Sequence, residues 1–386
     1  MKIIKLIIRN VLRHNLRSML TILGISIAVM FFGVLRPVVD AWHSGVDASA
    51  NNRLITRHAV SFIFTLPYSY KEQIARVPGV SGVTFASWFQ GVYIDQNQFF
   101  ARMAVDAETF FDAYPEFLVD KTELENFKKE RNACILGEKI AKQYNLKIGD
   151  VMPIEGDIYP GKYEFVIKGI YKPRNEKTDA TQMLFHWTYL DERMKQDQPN
   201  RAGQIGWYVV TIDDPGKSAQ ASKAIDDMFR NSRAETKSET EAAFQQSFVS
   251  MSGAIINAMN FVSFVIVGVI LLVLGNTMVM TARERTREYA VLKTLGFSKG
   301  RLIGLILGES MAISLLGGLV GVFLTFPIVQ GIGANIPSGM FPIFDVKPMT
   351  LVFASLSAFI VGITAALFPI WRVNTMKIVD GLRHIG

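Results

Sequence analysis

Cysteine is almost missing from this 386-residue chain: Cys134 stands alone, which excludes an intrachain disulfide and any cysteine-based zinc site. No G-x-x-x-x-G-K-[ST] run occurs, so the chain has no Walker A cradle for nucleotide phosphates, and neither H-E-x-x-H nor G-x-S-x-G is present. The histidines His14, His43, His58, His186 and His384 are scattered without ligand spacing and read as ordinary polar residues. Neighbouring carboxylates such as Asp213 with Asp214 and Asp226 with Asp227 read as turn and helix-surface groups. Together these absences predict a non-enzymatic chain with no cofactor or metal of its own. Charge is also missing over long stretches. No Asp, Glu, Lys or Arg lies between Ser18 and Leu35, between Ala242 and Ala282, between Ser310 and Phe344, or between Pro348 and Trp371.

What is present in those stretches is apolar. Hydrophobic residues make up 49% of the chain, as suits a membrane protein, and 18 to 25 apolar residues span a hydrocarbon core at 1.5 Å per helical residue. Basic residues crowd beside the apolar runs. Residues 1–17, 281–301 and 372–386 hold fourteen basic against three acidic residues, a net +11 that leaves −4 for the rest of a chain whose total is +7. This is a positive-inside distribution, which puts those three segments in the cytoplasm and argues against nucleic acid as a partner.

The expected architecture is a membrane protein with four transmembrane α-helices in a 1+3 arrangement and an inserted α+β extracytoplasmic domain. Residues 1–17 form a cytoplasmic N-terminal helix, amphipathic over 3–14, with Ile3, Ile4, Ile7, Ile8, Val11 and Leu12 on one face and Lys2, Lys5, Arg9 and Arg13 on the other. That helix either lies on membrane lipid or packs a solvated basic face against the bundle. Residues 18–38 are the first span, uncleaved because no small-x-small site follows. Residues 39–250 mix both signs of charge with short apolar runs and form the outer domain. Strands are expected at Val60–Leu66, Val80–Phe85, Gly91–Ile94, Phe99–Val105, Tyr163–Tyr171, Met183–Trp187 and Trp207–Ile212. Helices are expected at Ser69–Val77, Thr122–Lys129, Glu138–Tyr144 and Gly216–Arg230. Residues 251–282 carry the end of a stalk helix that continues from Glu241–Ser252 into the second span. Residues 283–300 are a cytoplasmic loop, 301–332 the third span, 333–347 an outer loop, 348–371 the fourth span and 372–386 a cytoplasmic tail.

The loop is the informative segment. Its sequence RERTREYAVLKTLG reads as a short helix with Tyr289, Leu292 and Leu295 on one side, Arg287, Glu288 and Lys293 off it, and Gly296 as C-terminal cap. Glu309 falls about two turns into the third span; an intramembrane acid reads either as the partner of a basic loop residue or as a proton or substrate site. Arg36, at the outer end of the first span, reads as an interfacial anchor.

The segment Arg285-Thr286-Arg287-Glu288-Tyr289-Ala290-Val291-Leu292-Lys293-Thr294-Leu295-Gly296 resembles the inner loop of MacB/FtsX-superfamily ABC transporter permeases, R-T-R-E-I-G-[VIL]-[LR]-[RK]-[AT]-[IVL]-G, departing from it at Tyr289 and Ala290. A glutamate in the third span, here Glu309, recurs in that family. Asn10–Gly24 is similar to its entry motif, and its exit motif is partly kept as Pro369, Leu382 and Arg383, with Met376 and Gly381 departing. In the outer domain, Ile135-Leu136-Gly137-Glu138-Lys139-Ile140-Ala141 followed by Leu146-Lys147-Ile148-Gly149-Asp150, and the turn Val77-Pro78-Gly79-Val80, are similar to the MacB-type periplasmic core domain.

The resemblance implies a type VII ABC transporter permease in a bacterial inner membrane, both termini cytoplasmic. A separate ABC ATPase subunit that binds ATP and Mg would dock on the loop through Arg285, Arg287, Glu288, Tyr289, Leu292, Lys293, Leu295 and Gly296. A second permease copy or paralogue completes a dimer, and a periplasmic adaptor or substrate protein is a further partner. It implies export or extrusion of a lipoprotein, peptide or drug by mechanotransmission. The alternatives are an FtsX-like transmitter that activates an extracytoplasmic enzyme without transport, and a membrane-anchored sensor with no ATPase.

Overall fold

A computed structural model of the chain describes residues 15–95, 99–335 and 346–375. The amphipathic helix expected at 3–14, most of the outer loop and the tail from residue 376 lie outside the described residues. The chain divides into a helical unit and a sheet unit, the latter formed by residues between the first and second long helices. The principal helices are α1 (Asn15–Ala48), α2 (Glu241–Met251), α3 (Gly253–Glu284), α4 (Thr286–Thr294), α5 (Lys299–Asn335) and α6 (Pro348–Thr375).

In the helical unit, Leu16–His43, Gly253–Glu284, Lys299–Gly333 and Pro348–Thr375 are long and apolar enough to cross a membrane. Lipid tails supply no hydrophobic drive between helices, so close packing and hydroxyl hydrogen bonds must hold them together. Both are present. The buried Ser26 hydroxyl on α1 donates to Gly317 O on α5 at 3.0 Å, and Ser310 on α5 donates to Gly362 O on α6 at 2.7 Å. Gly321 lets α1 and α5 approach: a Cβ there would lie 2.6 Å from Ser26 O and 2.7 Å from Val29 Cβ. Gly321→Val is therefore expected to push the two helices apart at a cost of about 1–3 kcal/mol, read as a lower unfolding midpoint in detergent. An unchanged midpoint would refute this packing.

The sheet unit contains β1 (Arg53–His58), β2 (Leu66–Pro67), β3 (Val80–Trp88), β4 (Gly91–Val92), β5 (Ala101–Val105), β6 (Phe117–Leu118), β7 (Ala133–Gly137), β8 (Val151–Gly156), β9 (Gly161–Pro173), β10 (Gln182–His186), β11 (Gln204–Ile205), β12 (Trp207–Ile212) and β13 (Thr236–Thr240). The main sheet runs β13-β1-β12-β3-β5-β10-β7-β9-β8-β4, with β6 paired to β9. It is mixed: β5 with β10 and β7 with β9 are parallel, and the other pairs are antiparallel. Alternate side chains feed two cores, one on each face. Leu54, Phe85, Phe185 and Val210 enter one, while their neighbours Ile55, Ala86, Leu184 and Val209 enter the other. Helices cover the faces. Asp120 caps Lys121–Lys129 by accepting from Thr122 N at 2.9 Å, and Thr240 caps α2 by accepting from Ala243 N at 3.2 Å.

Two expectations are corrected, and strands beyond those expected are added. Of Val60–Leu66 only Leu66 is in a strand, the short β2: Val60 is 76% and Ile63 87% exposed in a loop, and the long strand is Arg53–His58, seven residues earlier. Strands at Ala133–Gly137, Val151–Gly156 and Thr236–Thr240 were not anticipated. The stalk is not one continuous helix, because α2 ends at Met251 and Ser252 (φ −89°, ψ 5°) caps it before α3 begins at Gly253.

Cys134 is fully buried on β7, and burial raises its thiol pKa, so it is closed to reagents and poorly ionised. The folded chain is expected to resist maleimide until denaturant is added; labelling at the native rate of a free thiol would contradict this burial.

Candidate functional site

Helix α4 is held at both ends. At its start, the N-cap residue Arg285 is buried and reaches two carboxylates: Nε donates to Glu288 Oε2 at 2.8 Å and Nη1 to Glu309 Oε2 at 3.0 Å. Its guanidinium also lies 5.4 Å from the centre of the Tyr289 ring. Burial raises the Tyr289 hydroxyl pKa to about 12, so that ring stays neutral beside the ion pair. At the far end, Lys293 Nζ donates to Val373 O near the end of α6 at 2.7 Å. Burial, and secondarily Lys299, holds the Lys293 pKa below its ordinary value.

The C-terminus of α4 closes as a Schellman turn. Gly296 takes φ 85°, its N–H donates to Lys293 O at 3.2 Å, and Phe297 N–H donates to Leu292 O at 3.0 Å. Leu292 and Phe297, the apolar pair of this motif, both pack on the helical core. A residue other than glycine at 296 would be strained in that left-handed conformation.

These anchors decide which side of α4 is available. Tyr289 is only 2% exposed and Leu292 is half-buried, so two of the three residues of the apolar stripe expected to meet a partner face the helical core instead. The exposed side carries Arg287, Val291 and Leu295, four residues apart on successive turns, with Leu295 71% exposed. Of the residues named from sequence, Arg285, Glu288, Tyr289 and Glu309 come together as one cluster, Lys293 and Gly296 anchor the far end, and Arg287 and Leu295 point outward. Val291 was missed; its four-residue spacing from Arg287 and Leu295 was the signal.

A second tie was also missed. Arg17 Nη1 and Nη2 donate to the two oxygens of Glu284 at 2.7 and 2.8 Å, joining the start of α1 to the end of α3. Beside it, Thr21 and Thr277 hydroxyls lie 3.2 Å apart. Further along α1, Arg36 pairs with Asp40 at 3.4 Å and lies 5.8 Å from the Phe353 ring centre.

The model of the MacB-like periplasmic core domain matches residues 18–228, more than half of the chain, and the FtsX-like permease C-terminal model matches residues 260–378. The chain belongs to the MacB/FtsX family of ABC transporter permeases. An uncharacterized ABC transporter permease of Methanocaldococcus jannaschii is 22% identical over 99% of this permease and 97% of its own length. The uncharacterized ABC transporter permease YvrN of Bacillus subtilis is 22% identical over 99% of both chains. The macrolide export ATP-binding/permease protein MacB of Nitrobacter winogradskyi is 29% identical over 34% of the permease and 19% of MacB, so this match spans about a fifth of that relative. The extracellular domain of the noncanonic ABC-type transporter YknZ from Gram-positive bacteria superposes with a TM-score of 0.35 at 10% identity, covering 49% of the permease and all of that domain. The permease is a membrane protein whose inserted sheet unit matches an extracytoplasmic domain.

Proposed function

We propose that the permease converts ATP hydrolysis by a separate ABC ATPase into movement of its extracytoplasmic unit, driving export or extrusion by mechanotransmission. The carrying observation is α4, a short helix fixed by Arg285–Glu309 at one end and Lys293–Val373 at the other while Arg287, Val291 and Leu295 stay exposed. In this reading the α4 face lies in the cytoplasm of a bacterial inner membrane with both termini on the same side, and two permeases pair with two ATPases. ATP and Mg belong to the ATPase.

The anchoring gives the reading mechanical content. A helix free at one end would absorb a push by rotating. A helix tied to α5 and α6 passes the displacement to those spans, and the Arg17–Glu284 pair lets α1 and α3 move together. Apolar Val291 and Leu295 would supply buried contact with the ATPase, and Arg287 a rim charge that sets specificity.

The test is the ATPase that co-purifies with the permease. Leu295→Asp is expected to lower stimulated ATP turnover by at least about fivefold, since it places a charge in the apolar centre of the contact, while membrane insertion and thermal midpoint stay unchanged. Its side chain is largely exposed, so loss of fold does not confuse the result. Full stimulation by Leu295→Asp together with Val291→Asp would defeat the proposal.

A further inference from the structure

The extracytoplasmic unit holds a cavity of about 1160 Å³ that is partly open to solvent, larger than the roughly 300–1,000 Å³ of sites for drug-sized ligands. Its floor is one face of the sheet, where Ala86 on β3 and Ala101 on β5 are small and leave space below the facing elements. The walls are rings. Phe62, from the loop after β1, has its ring centre 4.9 Å from that of Trp207, 5.4 Å from Phe244 and 5.9 Å from Phe248, the last two on α2. Trp88 and Tyr114 also line the space, and Ile63 lies on it while being 87% exposed.

Charge on the lining is unevenly compensated. Arg53 is neutralised by Glu116 and Glu241 at 2.6 and 2.8 Å. Asp179 accepts from Thr181 N–H and hydroxyl and from Gln182 Nε2, so its oxygens are occupied. Arg174 and Arg201 also line the cavity, and among the described residues no carboxylate pairs with either. Arg201 donates to Ile158 O and Gln198 Oε1 and stacks 4.3 Å from the Tyr159 ring centre, which fixes its position without cancelling its charge.

We infer that this cavity binds a small amphiphile with a ring-bearing apolar body and one anionic group. Aromatic walls favour stacked and edge-on contact with rings, and uncompensated guanidiniums favour an anion held by hydrogen bonds. Binding requires neither nucleotide nor ATPase, so it stands apart from the coupling reading and is measured without either.

The experiment uses the full chain in phosphatidylcholine nanodiscs with anilinonaphthalene sulfonate as the probe, excited through tryptophan. Three of the five tryptophans, Trp42, Trp88 and Trp207, line the cavity, so transfer reports occupancy there. Saturable transfer above empty nanodiscs is expected. Met103→Trp, which enlarges a half-buried lining residue, is expected to raise Kd at least about tenfold by filling the space. The exposed Arg174→Glu is expected to raise it about fivefold for the sulfonate and to leave the neutral phenylnaphthylamine unaffected. A signal that never saturates, or equal Kd in both variants and the parent, would overturn the site. Equal displacement by dodecanoate and by a ring-bearing sulfonate would overturn the ring preference, and an Arg174→Glu effect shared by the neutral probe would overturn the anion assignment.

Discussion

Glu309→Ala is expected to cost the helical unit about 3–5 kcal/mol, the range for stranding one member of a buried ion pair. Arg285 and Glu309 are 7% and 4% exposed and meet at 3.0 Å, far from the screening that makes surface pairs nearly worthless. Removing the carboxylate leaves a guanidinium with only Glu288, itself partly exposed, and with the Tyr289 ring. The unfolding midpoint in detergent should fall sharply. Arg285→Leu combined with Glu309→Leu should recover most of the loss, because two apolar side chains strand nothing. A double-mutant cycle separates the pair from its surroundings. Glu309→Ala matching the parent within experimental error, with ATP turnover or transport lost, would instead favour a proton or substrate role for this acid.

The sequence patterns that were legible are those with a local cause. Four charge-free runs declare four apolar helices, because charge inside a span is expensive, and Gly296 declares the end of α4 because the Schellman turn needs a positive φ. The family resemblance of RTREYAVLKTLG likewise lies in the residues of α4 and its cap. Which of its faces turns inward was not legible. Tyr289, Leu292 and Leu295 form an apolar stripe by spacing, but the inward side is set by Arg285 meeting Glu309, 24 residues away. RERTRE offers three arginines, and nothing in their order says that Arg285 is buried while Arg283 and Arg287 are exposed.

The misplaced first strand has the same origin. VSFIFTL has the β-branched and aromatic residues of a strand, yet all but its last residue form the loop beside the outer cavity. RLITRH has a charge at each end, and it is the strand because distant partners neutralise those charges. Arg53 meets Glu241, and Arg57 meets Glu239 at 3.1 Å on the neighbouring β13. A reading confined to local windows prices Arg53 as surface, and only the fold supplies carboxylates 63 and 188 residues away.

That arginine supports the second large effect. Arg53→Met is expected to destabilise the sheet unit by about 3–5 kcal/mol, again by stranding a buried charge. Glu241 is 7% exposed and accepts from Arg53 Nε at 2.8 Å and from Ala50 N–H at 2.9 Å, while Arg53 Nη1 donates to Ala113 O and Nη2 to Glu116. Burial opposes the charge on Arg53, but its bond to Glu116 and the field of Glu241 more than restore it, and its pKa rises. Position makes the pair more than a core contact. Ala50 and Arg53 lie where the chain enters the sheet unit from α1, and Glu241 lies where the chain leaves β13 for α2. One carboxylate therefore fastens the entering and leaving strands to each other and, through Arg53, to Glu116. If that fastening carries load, Arg53→Met should increase amide exchange at 50–58 and 236–250 first, leaving β3, β5 and β10 protected, because those central strands keep both apolar faces. Arg53→Met with Glu241→Leu should restore much of the stability. Uniform loss of protection across the sheet would show the pair to be an ordinary part of the core rather than the clasp at the domain's two chain ends.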